Sequence, residues 1–171
     1  KILNFQYFDE EIGKRYHEGA FEDVSPELRY RSWNNRSMEY AERAELLIRL
    51  SKDYKVRIYE YSFLEQYAKI ICRGKIGFNR SLWKDSALRN FEIMACNRLL
   101  ITDDLPYQEE LFKDKVHCRT YRNYYSPQFL NFALDYEEVR ELVDYYLSHD
   151  QQREELVLAG KEHVFKNLDN V

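Results

Sequence analysis

Cysteine is scarce, and what there is does not cluster. Cys72, Cys96 and Cys118 are odd in number and widely spaced, with no CxxC pair and no Cys/His group. That pattern excludes a structural zinc site and reads as free thiols in or near a core, in keeping with a reducing cytoplasm. No apolar run approaches the ~20 residues needed to cross a bilayer. The opening KILNFQYFDEEIGK has no apolar h-region, so it is not a signal peptide. It has no initiator Met either, as expected of a processed or excised piece. A basic excess is also missing: the net charge is −4 and the pI near 5.7, which argues against a nucleic-acid binder. His17, His117, His149 and His163 are scattered, with no metal spacing and no Ser or Cys partner, so a histidine base is not expected. Repeats, low-complexity tracts and a second domain are all lacking.

What is present suits one α/β domain. A chain of 171 residues has room for one core, and its 15 tyrosines against 2 tryptophans belong mostly at the core boundary. The organising stretch is 75–112, KIGFNRSLWKDSALRNFEIMACNRLLITDDLPYQEELF. KIGFN alternates as a strand, Ser86 to Cys96 has helical spacing, and RLLIT is a compact strand ended by Asp103, Asp104 and Pro106. This βαβ grammar predicts a parallel sheet with ligands bound beyond its carboxyl ends, near the loops after Asn79 and Thr102.

Around that stretch the pattern predicts strands at Leu28–Trp33, Tyr54–Tyr61 and Lys115–Tyr121. Helices are expected over Arg36–Ser51, from Ser62 to about Cys72, over Tyr136–Ser148, and from Asp150 to about Asn167. Ser62 with Glu65 makes a capping box. Residues 122–134, with Pro127, read as irregular. The fold expected is a Rossmann-like three-layer α/β sandwich with a mainly parallel five-stranded sheet and two C-terminal helices. Residues 1–24 are a flanking helix or linker and 25–171 the domain.

The phrases LRNFEIMAC, LLITDDLPYQEELF and EVRELVDYYLSHDQQREELVLAGKEHV, in that order, resemble the C-terminal half of group 1 glycosyltransferases. The nearest branch is that of spore-maturation-type glycosyltransferase-like proteins, and the resemblance runs from about Ser32 to the C-terminus. It implies a GT-B enzyme of two Rossmann-like halves, of which this chain is the donor half; the acceptor-binding N-terminal half is missing or separate. It implies a nucleotide-diphosphate sugar as donor substrate, no further cofactor, no metal, and catalytic residues that this half does not reveal. The family's FE glutamate falls on Glu92, there a ligand of the ribose hydroxyls, and a basic residue near the start of the same helix falls on Arg89. Three features depart from the family. Lys84 stands where a second acidic residue is usual, Asn97 where glycine follows the AC, and the loop after the first strand is WNNR, with no glycine between Gly19 and Gly74.

Plainer roles are open to the same residues. Glu92 also fits a solvated helix carboxylate, and Arg89 a surface partner to it three residues away. Arg36 is a second candidate phosphate cation, Tyr61 and Ser62 are candidate flanks of the base, and Asn79 closes a strand at the ligand edge. For Asp103 and Asp104 a turn or helix cap is favoured over Mg²⁺. The rival function is a degenerate, non-catalytic α/β module for interaction or nucleotide binding. A flavodoxin- or receiver-like domain is disfavoured, because the acidic pair follows the fourth expected strand and not the first.

Overall fold

The computed structural model describes residues 46–57, 64–81, 87–105, 108–126, 131–134 and 136–168. The backbone divides into two units, Lys1–Ile48 and Arg49–Val171, and all the described residues except 46–48 belong to the second. The elements are α1 (helical over 46–53), α2 (Leu64–Ile71), β1 (Ile76–Phe78), α3 (Leu88–Ala95), β2 (Leu99–Asp103), α4 (Gln108–Leu111) and β3 (Arg119–Tyr121). They continue as β4 (Asn123–Ser126), β5 (Asn131–Leu134), α5 (Tyr136–Ser148) and α6 (Asp150–Leu168).

β1, β2 and β3 form a parallel sheet in that order, with Phe78 opposite Ile101 and Asp103 opposite Tyr121. Every residue of β2 is buried, as befits a central parallel strand covered on both faces. Leu100 faces a core made by Ile93 and Met94 of α3, Phe112, Cys118 and Val164 of α6, with Ile71, Phe91 and Ala95 at its edge. α3 packs on α6, and both lie on β2. Gly77 makes a close strand–helix approach, since a Cβ there would sit 2.5 Å from the Ile93 Cγ2.

The three strands expected within 75–121 are present, and the α/β class holds, but the sheet of described residues has three strands and not five. The expected strand Leu28–Trp33 lies outside the described residues; of Tyr54–Tyr61, 54–57 are irregular and the rest lies outside. β3 is shorter than expected. Lys115 takes a left-handed backbone with φ 62°, and its N–H donates to the Cys118 carbonyl at 2.9 Å. Asp114 Oδ1 accepts from the Thr120 N–H at 2.8 Å and from Arg119 Nε at 3.0 Å. These bonds turn 115–118 before the strand begins.

Residues 122–134 are not irregular throughout. β4 and β5 pair antiparallel, Asn123 opposite Leu134 and Ser126 opposite Asn131. Pro127 reaches less far than the sequence expectation assumes. A proline deletes one donor at its own position and leaves four-residue strands free to pair on either side.

The C-terminal helices match their expected bounds closely. Leu147 of α5 is 37 % and Phe165 of α6 48 % exposed, while Val157 and Gly160 are buried. Asn97 does supply the left-handed turn expected in place of glycine, at φ 60°. The Arg98 N–H returns to the Ile93 carbonyl and the Asn97 N–H to that of Met94, a Schellman stop for α3.

α6 is pinned to the turn before β3 by a histidine pair. His117 and His163 stack with ring centroids 4.0 Å apart, and the Lys113 N–H donates to His117 Nδ1 at 3.1 Å. Burial, then His163 and Lys113, hold the His117 imidazole below its usual range. A base with a depressed folded pKa binds its proton more readily unfolded, so stability rises with pH and is lost as pH falls through about 6.5 toward the folded value. The melting temperature should therefore drop between about pH 7 and 5. His117→Asn, whose Oδ1 still accepts the Lys113 N–H, should flatten that part of the profile.

Candidate functional site

The carboxyl rim of the parallel sheet concentrates buried polar groups. Asn79, Arg80, Ser81, Asn90, Thr102 and Asp103 are all less than a tenth exposed. Their placement follows from β1 ending at Phe78 and the chain crossing to α3. The Asn79 N–H extends the strand pairing by donating to the Ile101 carbonyl at 2.9 Å. Its side chain then turns to α3, donating from Nδ2 to the Asn90 Oδ1 at 2.8 Å. Asp103 reaches back from the end of β2. Its Oδ1 accepts from the Ser81 N–H at 2.7 Å and from the Thr102 hydroxyl at 3.2 Å. From β3 the Tyr121 hydroxyl donates to the Asn79 carbonyl at 3.2 Å, and its ring stacks on Phe78 with centroids 5.5 Å apart.

In this cluster Ser81 Oγ and Asn90 Nδ2 are buried without a hydrogen-bond partner among the described residues. Buried donors and hydroxyls of that kind usually answer to water or a ligand. The N-cap of α3, Ala87, offers no side-chain cap, and the first turn holds no acidic residue. The positive end of the helix dipole is thus met by no side-chain carboxylate of its own first turn, which favours an anion there.

Arg89 and Glu92 occupy a different face. Both are exposed, and both act on the Tyr67 phenol of α2. Burial is the largest cause raising the Tyr67 pKa, with Arg89 lowering it and Glu92 raising it. On α3 the positions 89, 92 and 96 follow i, i+3, i+7 spacing, so they line one seam against α2.

Of the residues singled out from the sequence, the structure brings Arg89 and Glu92 together and places Asn79 in the neighbouring rim cluster. Arg36, Tyr61 and Ser62 lie outside the described residues. Asp103, expected to form a turn or cap, is the buried last residue of β2, and its Oδ1 ties the loop after β1 to that strand. Asp104 follows it with an exposed carboxyl whose pKa is raised by partial burial and then by Asp114, Glu109, Asp103 and Glu138. Sequence reasoning missed Asn90, whose one signal was an amide set among the apolar positions Ile93 and Met94. It missed Tyr67 too, because the link from α2 to α3 has no local signature.

Among the described residues no group of three or more His, Cys, Asp or Glu is placed to hold a metal, and no helix is long and apolar enough to cross a membrane. No curated protein and no solved structure matches the chain in comparison. A family model described as glycosyl transferase-like matches residues 15–170. That span takes in the whole rim, the α2–α3 seam and both C-terminal helices, and the chain belongs to the glycosyl transferase-like family.

Proposed function

We propose that this chain is the donor-binding half of a GT-B glycosyltransferase of the spore-maturation-type branch, taking a nucleotide-diphosphate sugar. The observation that carries the proposal is the polar carboxyl rim, with Ser81 Oγ and Asn90 Nδ2 buried and unsatisfied beside an uncapped helix start. A diphosphate at the first turn of α3 would meet the positive end of its dipole and accept from Arg89, a forked donor suited to phosphate. Glu92, one turn on, would accept from both ribose hydroxyls. From the sequence alone, Tyr61 and Ser62 are candidate contacts to the base and Arg36 a further candidate phosphate cation.

In the reaction an acceptor hydroxyl attacks the anomeric carbon, the bond to the diphosphate oxygen breaks, and the acceptor proton leaves to solvent or a base. The work of this half is to stabilise charge on the departing diphosphate with Arg89 and the helix N-terminus. The acceptor, and any base, belong to a second half.

A second reading is favoured by one observation. Arg89 and Glu92 are both engaged with Tyr67, as they would be if they only joined α2 to α3 in a non-catalytic module. Calorimetry with UDP and GDP separates the two. The donor reading expects saturable heat with one of them, and Glu92→Ala should weaken that affinity about tenfold or more through loss of charge-assisted bonds. No heat with either nucleotide and an unchanged melting temperature overturns it. Under the second reading Tyr67→Phe and Glu92→Ala lower the melting temperature alike and no nucleotide binds.

A further inference from the structure

The α2–α3 seam holds a second feature beyond Tyr67. Its far end carries two thiols. Cys72 follows the last turn of α2 and is exposed, and Cys96 is the C-cap of α3 and half-buried. Cys72 Sγ lies 3.6 Å from the Cys96 carbonyl oxygen, which puts the two cysteines side by side. Neighbouring bonds fix both chain ends. Arg98 Nη2 donates to the Cys72 carbonyl at 2.6 Å, and its Nη1 to the Asn97 carbonyl at 2.8 Å. The Schellman stop at Asn97 holds Cys96 in turn. Cys118, by contrast, is fully buried against Gln108 and Lys113.

We infer that Cys72 and Cys96 are a reversible disulfide site, closed by a low-molecular-weight disulfide such as oxidised glutathione. The exposed Cys72 thiolate attacks one sulfur of that disulfide and expels one glutathione thiolate, which takes up a proton. The Cys96 thiol then loses its proton and attacks the Cys72 sulfur, releasing the second glutathione. The balance is two protein thiols and one small disulfide in, one protein disulfide and two small thiols out. Burial and then Cys72 raise the Cys96 pKa, so it reacts second, in an intramolecular attack where proximity offsets its small thiolate fraction.

The bond joins residues 24 apart in sequence and clamps the ends of the two helices whose other turns hold Tyr67, Arg89 and Glu92. Its formation does not depend on the chain's ligand, and the test uses none. The native protein, treated with oxidised glutathione at about pH 8, should lose two hydrogens in mass, keep one free thiol (Cys118), and recover fully with dithiothreitol. Its melting temperature should rise by about 5 °C or more, and hydrogen exchange should slow in α2 and α3. Cys96→Ser should stop at a stable glutathione adduct on Cys72, and Cys118→Ser should behave as the native protein does. A lasting glutathione adduct on native Cys72, or a disulfide that forms only in denaturant, overturns the inference.

Discussion

Replacing Gly160 with alanine is expected to destabilise the protein by about 2–3 kcal/mol, near the upper end of what overpacking costs. Gly160 lies where α6 crosses the turn before β3. A Cβ there would stand 2.4 Å from the His117 carbonyl oxygen and 3.3 Å from the Met94 Sδ. The thioether can yield by rotation. The carbonyl cannot, because the 113–118 turn is held by its own hydrogen bonds, among them His117 N–H to the Lys113 carbonyl at 3.0 Å. The helix must therefore lift, and Val164, one turn on, loses its seat against Met94 and Leu100 in the core. Chemical denaturation is the check: the midpoint should fall with little change in slope. At Gly77 the blocking atoms belong to the Ile93 side chain, so alanine there should cost less. A Gly160→Ala variant as stable as the native protein would show that α6 leaves room for a methyl group at the turn.

Asp103→Ala should cost about 3 kcal/mol, and Asp103→Asn less than half of that. The carboxylate is 2 % exposed and satisfies the Ser81 N–H and the Thr102 hydroxyl with one oxygen. Alanine leaves a buried amide and a buried hydroxyl without their acceptor, each worth about 1–3 kcal/mol when stranded, and opens a small void. Asparagine keeps Oδ1 as acceptor for both groups. The contrast is informative because two different failures look alike in the alanine variant alone. If both substitutions cost the same, the negative charge itself is what the rim needs. Thermal melts of the three proteins decide it. The proposed donor site adds a second readout: Asp103→Ala frees the 79–81 backbone, so nucleotide affinity should fall with stability.

The contrast between what the sequence disclosed and what it hid has a physical cause. α5 is legible to the residue because Val139, Val143 and Tyr146 recur at helical spacing and tertiary packing merely uses the face on offer. β1 and β2 are legible for the same reason, one alternating and one uniformly apolar. The stop at Asn97 follows from the tolerance of asparagine for a left-handed backbone. Pairing between strands is another matter. Nothing local in NYYS or NFAL says that Asn123 will meet Leu134, and the nearby proline masks both strands. The turn at 115–118 is hidden because KVHCRTY alternates well, and the Asp114 side chain that overrides the alternation lies just ahead of it. In the site, Asn79 is found from its position at a strand end. Asn90 is not, since an amide on an amphipathic helix reads as solvated until its partner is known. Arg89 and Glu92 are found as residues, but their shared partner is 22 to 25 positions back in the chain, counting from Tyr67 to 89 and to 92.

β1 and β3 are not neighbours in the sheet, yet the Tyr121 hydroxyl bonds the Asn79 carbonyl and the Phe78 and Tyr121 rings stack. Among the described strands, the outer two are thus buckled to each other over the middle one at their carboxyl end. Load applied to either margin at that end is shared by the whole ribbon. A ribbon fastened this way frays from its amino end, where Lys75 leads into β1, and the edge that carries the polar cluster is the last to part.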